Sequence, residues 1–219
     1  MTPEARGLLE MLAAAAATVG SLHSLAPDHW APFAAVARAR DWSTGRTARV
    51  TVACGFGHVT VSVLLGLLGL LLGREVLTNF AGKLEAAAGV LLIAFGLAYA
   101  AWGVRHAAGK RFHGHAHAHY DHVHDPSRLT AWGLFLFFSA DPCVAVIPLF
   151  IAASPLGWSG MLAVALVYEA ATIGTMVLLV LPARAGARVL RLSWLDRYGD
   201  AAAGGLIAAV GLLVMGLGW

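Results

Sequence analysis

The chain predicts an all-α integral membrane fold with six transmembrane helices, and three observations predict it. Its 219 residues are 59% hydrophobic and only 12% charged, about half the charged fraction of a soluble domain. Apolar runs recur at lengths near the 20 or so residues that a helix needs to cross the hydrocarbon core. The basic residues fall almost entirely into alternate connections between those runs, as in a chain threaded through a membrane with its positive loops on one side.

Six segments meet the length criterion: about 9–37 (long and broken), about 50–73, about 84–104, about 130–153, about 158–182 and about 200–218. They leave only short connections, so residues 1–219 read as a single transmembrane domain. The N-terminus does not read as a signal peptide: Arg6 is its only basic side chain and lies between Glu4 and Glu10, whereas a signal peptide has a positive n-region. Arg38, Arg40, Arg46 and Arg49 follow the first segment. Arg105, Lys110, Arg111 and Arg128 lie between the third and fourth, and Arg184, Arg188, Arg191 and Arg197 between the fifth and sixth. The opposite side has Arg6, Arg74 and Lys83. The positive-inside rule makes the richer side cytoplasmic and turns both termini outward, in a plasma membrane or bacterial inner membrane. The same loops account for the pI of about 9.2, with no nucleic-acid partner required.

The first segment carries His23-Ser-Leu-Ala-Pro27-Asp28-His29, with Pro32 beyond it. The fourth carries Ser139-Ala-Asp141-Pro142-Cys143, with Pro148 beyond it. Each half therefore opens on a helix interrupted by an adjacent Asp and Pro. The following helix in each half carries one polar group at depth, His58 in the second and Glu169 in the fifth. Three helices per half reverse the second half relative to the first, the pattern of a 3+3 inverted repeat with proline-broken helices 1 and 4 and a site where the breaks meet. Proline inside a helix removes a hydrogen bond, and in a bilayer the freed backbone must be buried in protein or line a cavity.

Two imidazoles and a carboxylate at membrane depth are costly unless they pair or bind something. Imidazole with carboxylate is also a ligand set for a divalent transition metal. On an unbroken helix His23 and His29 would point about 120° apart; a break at Pro27 would let both turn to one site. His58, preceded by Gly55 and Gly57, which let a neighbouring backbone come close, could complete that site, with Asp28 ligating directly or orienting an imidazole from behind. Asp141, Cys143, Glu169 and Thr60 are candidates for a pathway or supporting shell. Thr60 and Ser62 have the alternative of bonding their own helix, and a buried cysteine that of a small hydrophobe. Between the third and fourth segments, within 105–128, His113, His115, His117, His119, His122 and His124 form an accessory metal-collecting loop by composition, placed in the cytoplasm by the charge pattern.

These elements together resemble the nickel/cobalt efflux proteins of the NicO type, within the wider group of nickel/cobalt permeases. The resemblance rests on His23-x4-Asp28-His29, on Gly57-His58-Val-Thr60, on Ala140-Asp141-Pro142-Cys143 and on the His-rich loop. This chain has Leu25 and Ala26 where the larger, eight-helix permeases carry a further acidic residue. The resemblance implies a secondary transporter of divalent metal, nickel or cobalt, bound by His23, Asp28, His29 and His58, with export favoured by a collecting loop on the cytoplasmic side. The metal is then substrate, protons are a possible counter-ion, and no organic cofactor is expected.

A membrane thiol–disulfide carrier is the competing reading. It would use Cys143 and Cys54, the only two cysteines, which form no Cys-x-x-Cys pair. An enzyme is not expected: three intramembrane histidines on two helices are too few for a di-iron membrane oxidoreductase, and haem needs facing axial ligands.

Overall fold

A computed structural model describes residues 2–72, 74–109, 126–140, 143, 146–189 and 193–217. Among these the chain is all helical: α1 (Pro3–His23), α2 (Pro27–Ala39), α3 (Thr44–Leu72), α4 (Arg74–Gly109), α5 (Pro126–Ala140), α6 (Val146–Ala153), α7 (Gly157–Val189) and α8 (Ser193–Leu217). Among the described residues four stretches are long and apolar enough to cross a membrane: Pro3–His23, Thr44–Leu68, Gly89–Ala108 and Val146–Gly186. Thr130–Ala140 and Tyr198–Leu213 are shorter apolar helices. Large apolar side chains face outward all round, Met11, Phe56, Leu97, Trp158 and Leu178 among them. An apolar surface of that extent is compatible with a protein embedded in a membrane.

The helix ends follow from local chemistry. Thr2 caps α1, its Oγ1 accepting from Ala5 N at 3.2 Å, with Pro3 at the first helical position, where its missing N–H costs nothing. The long first segment divides at the expected proline. α1 stops at His23, the amides of Leu25 and Ala26 turn back onto the carbonyls of Leu22 and His23, and α2 restarts at Pro27 with Asp28 in its first turn, where the helix dipole favours a carboxylate. The fourth segment divides likewise, α5 ending at Ala140 and α6 beginning at Val146; Asp141 and Pro142 lie outside the described residues. Asp41, with left-handed φ of 49°, turns the chain from α2 into α3; Asp tolerates this region because its side chain can bond locally. α4 runs on to Gly109 and α5 starts at Pro126, so both helices reach into the span expected as loop.

Several contacts come in pairs, α1 on α7 with α5 on α3 and α2 on α7 with α6 on α3, while α3 meets α7 and α4 meets α8; α2 also lies on α8, and α6 on α7 and α1. Two apolar clusters result. One gathers Phe33, Val36, Cys54, Leu134, Phe138, Val180 and Ile207 from α2, α3, α5, α7 and α8. The other gathers Ala16, Val59, Cys143, Phe150 and Tyr168 from α1, α3, α6, α7 and the α5–α6 break.

One end of the bundle is tied by a polar network. Arg40 Nε pairs with Asp200 Oδ1 at 3.1 Å and donates to Tyr99 Oη at 2.9 Å, while Arg40 Nη2 donates to Thr130 Oγ1 at 3.3 Å. Tyr99 Oη donates to Asp200 Oδ1 at 2.7 Å, and the guanidinium stacks over Trp102, 4.3 Å from its centroid. Nearby, buried Arg184 donates to Thr44 Oγ1 at 3.2 Å and to the Trp42 carbonyl. The end of α2, the start of α3, the latter part of α4, the start of α5, the end of α7 and the start of α8 thus share one face of the molecule. Arg40 and Asp200 keep only 13% and 17% of their side-chain exposure. Breaking such a pair strands a buried charge, so Arg40→Met is expected to cost about 3 kcal/mol. Adding Asp200→Leu should return much of it, since a well-packed apolar pair is often no worse. Thermal unfolding of the two singles and the double reads this directly. Equal losses that simply add would mean the pair does not act as a unit.

Candidate metal centre

His23 is the last residue of α1 and His29 lies in the first turn of α2, so the break at Pro27 folds the two rings together. Their centroids are 4.2 Å apart, edge to face. His58, midway along α3, joins them at 5.3 Å from His29 and 6.3 Å from His23. One ring nitrogen from each of His23, His29 and His58 lies within 4.8 Å of the other two. Three atoms so disposed stand at most about 2.8 Å from a common centre, against about 2.1 Å for a metal–imidazole bond. A closure of roughly 0.7 Å per ligand, within reach of small side-chain rotations, would form the bonds.

The surroundings orient these rings. Asp28 Oδ1 lies 2.9 Å from His29 Nδ1, and the Phe138 carbonyl lies 3.2 Å from His58 Nδ1. A carbonyl only accepts, so the proton of His58 is assigned to Nδ1 and its Nε2 lone pair turns elsewhere. A carboxylate does the same for His29. An outer acceptor on one ring nitrogen with the other left to a metal is the usual arrangement behind metal-binding histidines. Consistent with this, Nε2 of His23 and of His29 is buried and without a hydrogen-bond partner among the described residues. A buried polar atom left so costs free energy, and a bound cation would remove that cost.

The site lies where the two apolar clusters meet. Phe138 packs its ring on His29 at 5.5 Å and on His58 at 4.8 Å, and Phe33 stacks edge-on against Phe138 at 5.0 Å. His29 and His58 retain 2% and 1% of their exposure. Gly57 lets α5 come this close: a Cβ there would collide with Ser139 Oγ and meet the Phe135 ring at 3.0 Å.

The structure brings together three of the four expected ligands and places the fourth, Asp28, behind His29. Cys143 is not in the cluster. Its amide donates to Ser62 Oγ at 2.7 Å, its Sγ lies 2.7 Å from Tyr168 Oη, and Ser62 Oγ donates to the His58 carbonyl at 2.7 Å. Ser62 thus bonds its own helix, as expected, and also joins the α5–α6 break to the turn carrying His58. Thr60 is half-buried on α3 and Glu169 half-buried on α7; Glu169 does not belong to the cluster. Asp141 and His113, His115, His117, His119, His122 and His124 lie outside the described residues. Cys54 and Cys143 are both buried and in no disulfide among the described residues, and they belong to different apolar clusters. Sequence reasoning missed the Phe138 carbonyl and ring and the Tyr168 hydroxyl; a main-chain acceptor and an aromatic wall carry no signature before folding.

If Asp28 orients rather than ligates, Asp28→Ala should lower metal affinity by about 10- to 100-fold. Asp28→Asn, which keeps an acceptor for His29 Nδ1, should lose much less. Titration calorimetry of the two variants checks the order; an equal loss in both would make the carboxylate charge itself the ligand. Comparison of the chain with family models, with curated proteins and with solved structures gives no match.

Proposed function

We propose that this protein is a secondary transporter carrying a divalent transition-metal ion across a membrane. The observation that carries this reading is the buried three-imidazole cluster that α1, α2 and α3 bring together in an apolar bundle. Imidazole suits nickel, cobalt, copper and zinc rather than calcium or magnesium. Three neutral ligands leave open coordination positions, which suits an ion that must leave as readily as it enters. The choice of nickel or cobalt rests on the resemblance of His23-x4-Asp28-His29 and Gly57-His58 to the NicO-type efflux proteins.

The finer architecture belongs to the same proposal. Six spans are supported by the way α2, α4, α5 and α8 meet in the Arg40 network while α3 and α7 meet beside it through the Arg184 bonds. A 3+3 inverted repeat is supported by the paired contacts, α1 on α7 with α5 on α3, and α2 on α7 with α6 on α3. The Arg40 end is the basic side, so the positive-inside rule makes it cytoplasmic and both termini external, in a plasma or bacterial inner membrane. The His-rich segment would collect metal on that side, which favours export. Alternating access then amounts to one half rocking on the other about the histidines. Metal binding would displace protons from the imidazoles, so protons are the natural counter-ion.

The test is flux. Protein reconstituted in liposomes with a metal-sensing dye inside should accumulate Ni²⁺ or Co²⁺ down an imposed gradient, and His23→Ala should abolish it. No flux with the parent protein, or unchanged flux after His23→Ala, overturns the reading.

A further inference from the structure

A second site lies between α2 and α8. It is a groove of about 410 Å³, within the usual range of about 300–1,000 Å³ for small-ligand sites. Its α2 wall steps down one helical face from Arg38 through Ala34 and Ala31 to Pro27, and small residues such as Ala202 and Ala203 line the α8 wall. Apart from Arg38 the lining is apolar, so it is no path for a hydrated ion. From Pro27 to Arg38 the groove runs about 17 Å, at 1.5 Å per residue, close to the roughly 15 Å depth of one leaflet's hydrocarbon. The apolar lining, the one-leaflet length and the single basic side chain at one end suit an acyl chain with an anionic end at Arg38. That end of α2 adjoins Arg40, on the face where the basic residues gather.

We infer that the α2–α8 groove binds one anionic phospholipid, an acyl chain lying along the alanines and the headgroup phosphate meeting Arg38. A basic side chain at such a surface attracts anionic lipid, and the acyl chain adds apolar burial along the groove. The inner end, at Pro27 and Trp30, adjoins the turn carrying Asp28 and His29, so an occupied groove would brace the helix that presents the metal-binding histidines. The inference rests on membrane placement and not on metal transport, and its test uses metal-free protein.

Purified full-length protein in neutral detergent is melted with added phosphatidylglycerol, with phosphatidylcholine and with inorganic phosphate. Phosphatidylglycerol should raise Tm by about 5 °C, the shift expected of a ligand well above its Kd. Phosphatidylcholine should do less and phosphate nothing. Arg38→Gln should erase the difference between the two lipids, and Ala202→Leu, which fills the groove, should blunt the response to both. Native mass spectrometry of the parent protein, which needs no variant, should retain one phosphatidylglycerol per chain from an equal mixture. Equal stabilisation by both lipids, a full response to phosphate alone, or no retained lipid overturns the inference. So does a lipid-independent dimer that Ala202→Leu dissociates, which would assign the groove to a second copy of the chain.

Discussion

A His23→Leu protein is expected to melt as high as the parent or higher in the absence of metal, and to bind Ni²⁺ or Co²⁺ about 100-fold more weakly or worse. The two halves of this result have different causes. His23 Nε2 is buried with no hydrogen-bond partner among the described residues, and a polar atom in that state costs about 1–3 kcal/mol. Leucine fills much the same space without a polar atom, at the junction of two apolar clusters. On the metal side, a four-ligand zinc site is worth about 10–16 kcal/mol, so one ligand carries roughly 3 kcal/mol, or about two decades in Kd. A packing histidine would behave in the opposite way, its removal lowering the melting temperature and leaving metal affinity alone. Melting curves with and without Ni²⁺, alongside calorimetric titration, separate the two. Parental affinity in a normally folded His23→Leu protein would remove this residue from the site.

His23 also shows how far the sequence could be read. The cost of His23, Asp28 and His29 in an apolar run was visible, as was the need for Pro27 to break the helix. The structure has that break, and the rings of His23 and His29 meet across it at 4.2 Å. The third imidazole was legible because His58 is a polar group at depth in an apolar helix, just after the two glycines Gly55 and Gly57 that let a neighbouring helix come close. What Asp28 does was not legible. Its spacing in the chain is the same whether it ligates or orients, and only the fold, by setting its carboxylate 2.9 Å from His29 Nδ1, separates the two. The Phe138 carbonyl behind His58 was invisible for a stronger reason: every residue has a carbonyl, and only tertiary packing chooses which one accepts. Helix lengths were read short at several ends, since apolar runs mark the hydrocarbon span while hydrogen bonding carries a helix past it, as α3 does back to Thr44 and α4 on to Gly109. Arg40 and Asp200 illustrate the same limit. Arg40 was counted as a topogenic charge, and its pairing across 160 residues of chain was not deducible from the pattern that placed it.

Gly96→Val is expected to be among the most damaging single changes in the α4–α8 interface, at more than about 3 kcal/mol. Without a hydrophobic driving force between helices in lipid, association depends on close packing, and small residues let backbones approach. Here they approach to the limit. A Cβ on Gly96 would collide with Ala208 N and stand 2.8 Å from both Ala208 Cα and the Gly204 carbonyl oxygen. One on Gly204 would collide with Ala100 N and stand 2.6 Å from the Gly96 oxygen. The obstacles are backbone atoms, which have no rotamer to turn into, so the helices must part along their length. Overpacking in ordinary cores costs about 1–3 kcal/mol because side chains can shift; that relief is missing at Gly96. Two other glycines calibrate the claim. At Gly89 an added Cβ meets the flexible Met215 side chain, at 2.5 Å from Cγ, so Gly89→Ala should cost far less. At Gly205, on the open face of the same α8, nothing lies within 4 Å, and Gly205→Ala should be neutral or stabilising by roughly 0.5–1 kcal/mol as helix propensity improves. Melting temperatures in the order Gly205→Ala, parent, Gly89→Ala, Gly96→Val are the expected result. A Gly96→Val protein that melts with the parent would mean that α4 and α8 do not rest on one another at these glycines. The Tyr99–Asp200 hydrogen bond, which joins the same two helices one turn further on, would then have no close-packed interface to hold it.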